Sequence, residues 1–95
     1  MKTGTISNGF HYEFDETRAD DMRFVDLIVE ATGEESGEFE KLHATSKMLD
    51  MLLGKEQKKA LYDHIGKDYD GRVPSAELEK ALTEIMQGGG DAVKN

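Results

Sequence analysis

Met48-Leu49-Asp50-Met51-Leu52-Leu53-Gly54-Lys55 organises the rest of the chain around itself. Its first six residues are the most apolar window in the sequence. On a helix they would be apolar nearly all round, which demands burial on more than one side. Gly54 then acts as a natural helix terminator. Upstream, Phe39, Leu42, Ser46, Leu49, Leu52 and Leu53 trace one face of a helix over about 38–53, with Ser36 or Gly37 able to cap it. Downstream, a further helix over about 55–66 has Leu61 and Ile65 as its core pair, flanked by Ala60 and Tyr62.

Asp68-Tyr69-Asp70-Gly71 is turn chemistry. Arg72-Val73 is extended, because a following proline disfavours the helical region. Pro74-Ser75 opens a last helix over about 75–87, striped by Leu78, Leu82, Ile85 and Met86. Gly88-Gly89-Gly90 stops it, and 88–95 reads as a flexible C-terminal tail.

On the N-terminal side, Asp15 is a candidate N-cap for a helix over about 16–32, with Glu16, Asp20 and Asp21 at its positive end. Met22, Val25, Ile28, Val29 and Thr32 recur there at helical spacing. Phe24, Leu27 and Ala31 widen the stripe, and Gly33 ends it. Before it, Phe10-His11-Tyr12-Glu13-Phe14 alternates apolar and polar, placing three aromatics on one strand face. Asn8-Gly9 is the dipeptide of two-residue type I′ hairpins, so 3–14 reads as a β-hairpin that needs a helix to cover its aromatics. The expectation is an α+β, mainly α, single domain over 1–87: a hairpin followed by about four short helices.

Composition narrows the function classes. Among 95 residues, 20 Asp and Glu stand against 12 Lys and Arg, for a formal charge of −8. That balance argues against nucleic acid as the main partner, since phosphate binding needs a surplus of base. No stretch approaches the roughly 18 apolar residues of a membrane span, and Met1-Lys2-Thr3-Gly4-Thr5 does not begin a secretory signal. With no cysteine there is no disulfide scaffold and no thiolate metal site. The expected location is the cytoplasm.

The sharpest metal motif is a calcium loop over 66–77. Setting Gly71 at the obligatory glycine places Asp68, Asp70 and Glu77 at ligand positions between two helices. Gly66 stands where the first carboxylate belongs, however, and Pro74 fills another loop position. The simpler reading is a tight Asp-Gly turn with Glu77 in the first turn of the next helix. Glu40-x-x-His43 matches half of a di-iron helix motif, but it occurs once and without a partner copy. Ser7, Ser36, Ser46 and Ser75 are scattered, and no nucleophile, base and orienter can be assembled. Gly54-Lys55 lacks the rest of a phosphate-binding loop. No enzyme and no cofactor are expected. A third possibility, an acidic inhibitor imitating nucleic acid, rests on the charge alone, and Lys55, Lys58, Lys59 and Lys67 interrupt the acids.

What remains is apolar surface. Phe39, Met48, Met51, Leu52, Leu53 and Met86 are candidates for a patch that receives a partner, since methionine adapts to partner helices. For Leu49, Leu52 and Leu53 the core is the favoured assignment, and for the methionines core and surface stand even.

One string is distinctive: Leu52-Leu53-Gly54-Lys55-Glu56-Gln57-Lys58-Lys59-Ala60-Leu61-Tyr62-Asp63-His64-Ile65, then Asp70-Gly71-Arg72-Val73-Pro74 and a helix with Leu78, Leu82 and Ile85. With Gly9-Phe10-x-Tyr12-Glu13-Phe14-Asp15 and Asp20-Asp21-Met22, it resembles the small tail assembly chaperones of long-tailed bacteriophages and their prophages, over about residues 3–86. The resemblance implies a non-catalytic protein. Its partners would be the long, helical tape measure protein and the tail tube protein recruited around it, and longer forms in that family arise by translational frameshifting.

Overall fold

The computed structural model describes residues 1–88. In order, the elements are β1 (Lys2–Thr5), β2 (His11–Phe14), a 3-10 turn (Glu16–Ala19), α1 (Met22–Thr32), α2 (Glu38–Gly66) and α3 (Ser75–Met86). The chain is mainly helical with an N-terminal two-stranded antiparallel hairpin. Among the described residues there are three helices and a 3-10 turn rather than four helices. The expected tail beyond Gly88 lies outside the described residues.

Two of the expected helices are joined. The segments read as 38–53 and 55–66 run together as α2, interrupted by Gly54 at φ 81°, ψ 166°. A straight helix would separate Ser46 from Lys58 by about 18 Å. Instead, Lys58 Nζ donates to Ser46 Oγ at 2.7 Å and meets Asp50 Oδ2 at 3.1 Å, so the chain bends sharply at the glycine. The Lys58 ammonium also lies 5.5 Å from the centre of the Tyr62 ring. Beside the bend, Arg18 Nη1 reaches the Met51 carbonyl at 3.5 Å and Gln57 Nε2 donates to the Leu53 carbonyl at 3.1 Å.

The helix expected over 16–32 is divided instead. Asp15 caps only the 3-10 turn, accepting from the Thr17 N–H, and this bond, with a second from the Thr17 hydroxyl, holds its carboxyl below the ordinary range. Asp21 then adopts an extended conformation and restarts the chain as the N-cap of α1, accepting from the Arg23 N–H at 2.8 Å. Arg23 also grips Asp21 through its guanidinium, and that contact first, with the backbone bond second, lowers the Asp21 pKa. Two aspartates, Asp15 and Asp21, thus share the capping that one was expected to do. At the start of α2, Gly37 is the cap residue, and Glu40 reaches back to its N–H at 2.6 Å.

The hairpin places Phe10, Tyr12 and Phe14 in the core, as the alternation predicts. Its turn differs from the type I′ expectation. Ile6 N–H donates to Phe10 O and Gly9 N–H to Ile6 O, leaving Ser7, Asn8 and Gly9 as a three-residue loop with only Gly9 at positive φ. Asn8 Oδ1 accepts from Phe10 N–H, a local bond that favours this form. Three distant side chains then tie the hairpin down. Glu84 of α3 accepts from the Ser7 N–H at 2.7 Å and from its hydroxyl at 2.6 Å. His64 Nε2 lies 2.8 Å from the Asn8 carbonyl, which only accepts, so that nitrogen carries the proton. The Gln57 amide takes both backbone groups of Glu13, closing the free edge of β2.

Behind these clamps, Tyr12, Phe24, Leu49, Leu52, Leu61 and Ile85 are fully buried. Gly4 allows the Tyr12 ring to lie against β1, for a β-carbon there would sit 2.6 Å from the phenolic oxygen.

Candidate functional site

α1, the first half of α2 and α3 do not close completely against one another. Between them is a groove of about 440 Å³. Ile28, Ala31 and Thr32 form the α1 wall, and Leu82, Met86 and Glu79 form the α3 wall. Thr45 and Met48 of α2 form the floor. Thr45 donates its hydroxyl to the Lys41 carbonyl at 3.0 Å. Met48 is only 4% exposed, whereas Met86 on the rim is 43% exposed. Thr83 and Gln87 complete a lining whose surface is mostly apolar, with adaptable thioethers at its floor and edge, and it suits an amphipathic helix face better than a polar small molecule.

The six residues proposed as a contact patch divide. Met48 and Met86 come together in the groove. Leu52 and Leu53 belong to the core at 0% and 5% exposure, because the bend at Gly54 folds both halves of α2 over them. They take the favoured core assignment and drop out as contact candidates. Met51 is half-buried and lines a separate hollow with Leu27 and Lys55. Phe39, in the first turn of α2, is 86% exposed and is not part of the groove lining.

Helix α1 brings a further correction. Its buried side is Phe24 with Leu27, Ile28 and Ala31 packed behind it. Met22, Val25 and Val29, expected on the core face, are exposed instead. Seven of the eleven α1 residues are apolar counting Ala31, so helical periodicity alone did not single out one face. The groove residues Ile28, Ala31 and Leu82 were likewise missed as site residues, since each reads as ordinary core on its own helix, and Thr45 carries no sequence signal of its own.

The calcium-loop residues are not gathered for an ion. Asp68 and Asp70 are exposed on the turn after α2, where Asp70 and Gly71 hold positive φ of 60° and 88°. Gly71 N–H closes the turn on the Gly66 carbonyl at 2.8 Å. Glu77 is engaged by Tyr69, whose phenol is pushed above its ordinary range first by that hydrogen bond, then by desolvation and the acidic charges nearby. Among the described residues, no three His, Cys, Asp or Glu side chains form a group able to hold a metal.

The other polar candidates are likewise dispersed. Glu40 is spent on the Gly37 cap while His43 is exposed. His11 Nδ1 pairs with the Thr5 hydroxyl at 2.9 Å, and His64 is committed to the hairpin turn. Asp63 meets Lys59 rather than its neighbour His64. Among the described residues, no helix is long and apolar enough to cross a membrane. No protein-family model matches the chain, and no curated protein or solved structure matches it either.

Proposed function

We propose that this chain is a non-catalytic tail assembly chaperone of a long-tailed bacteriophage or prophage. In this reading it works in the bacterial cytoplasm, holding helical segments of the tape measure protein and presenting them to tail tube subunits. The observation that supports it most is the apolar groove between α1, α2 and α3, with Met48 at its floor and Met86 at its rim. A groove of this kind takes the apolar face of an amphipathic helix through i, i+3, i+4 and i+7 anchors. A long helical protein offers many such faces and is prone to aggregate when they are uncovered. Burying Met86 and its neighbours under a helix would shield both surfaces at once.

The test is co-expression with the tape measure protein that this reading expects as the chain's cognate partner. The wild-type protein is expected to keep that partner in the soluble fraction and to co-purify with it. Met86→Glu, which places a charge on the rim, is expected to lose the complex while keeping its own fold by circular dichroism. A tape measure protein that remains aggregated with and without the chain would overturn the proposal.

A further inference from the structure

Met22, Val25 and Val29 stand on α1 at i, i+3 and i+7, exposed by 68%, 39% and 62%. Successive helical positions turn by about 100°, which sets this stripe directly beside Ile28 and Thr32 on the groove wall. The same rotation puts Asp26 and Glu30 along its other side. Across the groove, α3 contributes Glu79 next to Leu82 and Met86. Apolar surface thus continues from the groove onto the outer face of α1, bordered by carboxylates on both sides. Asp26, Glu30 and Glu79 take part in no ion pair among the described residues. Arg23, on the acidic side of the stripe, is already held by Asp21.

Resting on the groove reading above, we infer that the docking surface extends over Met22, Val25 and Val29, and that its occupant is an amphipathic helix with Lys or Arg on both flanks of its apolar stripe. Such flanks would meet Asp26 and Glu30 on one border and Glu79 on the other. The charge pattern disfavours the rival occupants. A second copy would set acidic border against acidic border, each chain carrying −8, and juxtaposed like charges oppose association. An anionic lipid surface would be repelled in the same way.

Two synthetic amphipathic peptides of about five helical turns, with the same apolar face and either lysine or glutamate flanks, test the inference by fluorescence anisotropy against the full chain. The lysine-flanked peptide is expected to bind at least about tenfold tighter, with the advantage shrinking as ionic strength rises from about 0.01 M to about 1 M. Asp26→Lys combined with Glu30→Lys should narrow or reverse that preference. Val29→Glu should weaken the lysine-flanked peptide about tenfold, as expected for an exposed apolar anchor, with an unchanged circular dichroism spectrum. Equal affinity for the two peptides overturns the inference. So does a Val29→Glu chain that binds normally while Met86→Glu does not, for the footprint is then the groove alone. Wild-type self-association that Val29→Glu abolishes also overturns it, in favour of a second copy. Peptide discrimination without tape measure co-purification would refute the chaperone role alone, and the reverse result would refute this inference alone.

Discussion

At the hairpin end of the molecule, polar groups are matched one by one. Glu84 holds Ser7, His64 holds Asn8, and Gln57 holds Glu13, with the aromatic core of Phe10, Tyr12 and Phe14 behind them. Between α1, the first half of α2 and α3, by contrast, mostly apolar side chains line a groove that stays open, and the apolar surface continues onto the outside of α1. A two-stranded hairpin is marginal alone, so its clamps and buried rings are what make it part of the fold. The groove carries no such fastening. The comparison assigns stability to the first region and recognition to the second, and it predicts that substitutions in the two regions separate cleanly in their effects.

The largest expected effect is at the hairpin. Tyr12→Ala removes a fully buried ring and should cost about 3–5 kcal/mol in denaturant unfolding, whether or not a partner is present. Next come the two glycines on which the hairpin side depends. Gly54→Ala meets only an arginine nitrogen 3.9 Å away, so its cost comes from the backbone at φ 81°, ψ 166°, about 1–3 kcal/mol. Gly4→Ala presses into the Tyr12 ring and should lose about 1–3 kcal/mol by overpacking. A chemical denaturation series in which Gly4→Ala is neutral would show that Tyr12 is less fixed than its burial implies.

Glu84→Gln is smaller, about 1 kcal/mol, because solvent reaches the carboxylate. Its pH dependence carries a sign. The Ser7 hydroxyl, and secondarily its N–H, hold the Glu84 pKa below the ordinary value. The folded protein therefore binds this proton less readily than the unfolded chain. The stabilisation is fully present above the ordinary glutamate value of about 4.3 and is lost as pH falls through the lower folded value. The stability difference between wild type and Glu84→Gln should be constant near neutrality and disappear in acid. The smallest effect belongs to the open side: Met86→Ala and Val29→Ala should each change stability by no more than about 0.5 kcal/mol, yet weaken partner binding.

The two regions also differ in what could be read from the chain. The hairpin, its aromatic face, the break at Gly54 and the start of α3 at Pro74-Ser75 each announce themselves through local chemistry. The clamps do not. Glu84 lies 77 residues from Ser7, His64 56 from Asn8 and Gln57 44 from Glu13, and no periodicity links such pairs. The 3-10 turn was hidden because Asp15 and Asp21 both make sound caps, and only the folded chain uses them for different elements. On the recognition side, methionines 48 and 86 were identifiable as candidates from their type. The leucines beside Met48 were best read as core, as they are, whereas the exposed valines of α1 were not separable from its core face, since burial depends on which face a largely apolar helix turns inward.

The five methionines, at positions 1, 22, 48, 51 and 86, allow the most direct test of this division. Methyl NMR of methionine-labelled protein, recorded as the tape measure protein is added, reports the groove and the remaining surface in one spectrum. The account predicts that the Met48 and Met86 methyl signals shift and saturate together, with Met22 joining them if the surface extends over α1, while Met51 and Met1 stay in place. Shifts confined to Met51 or Met1, or no shift in any of the five, would contradict it.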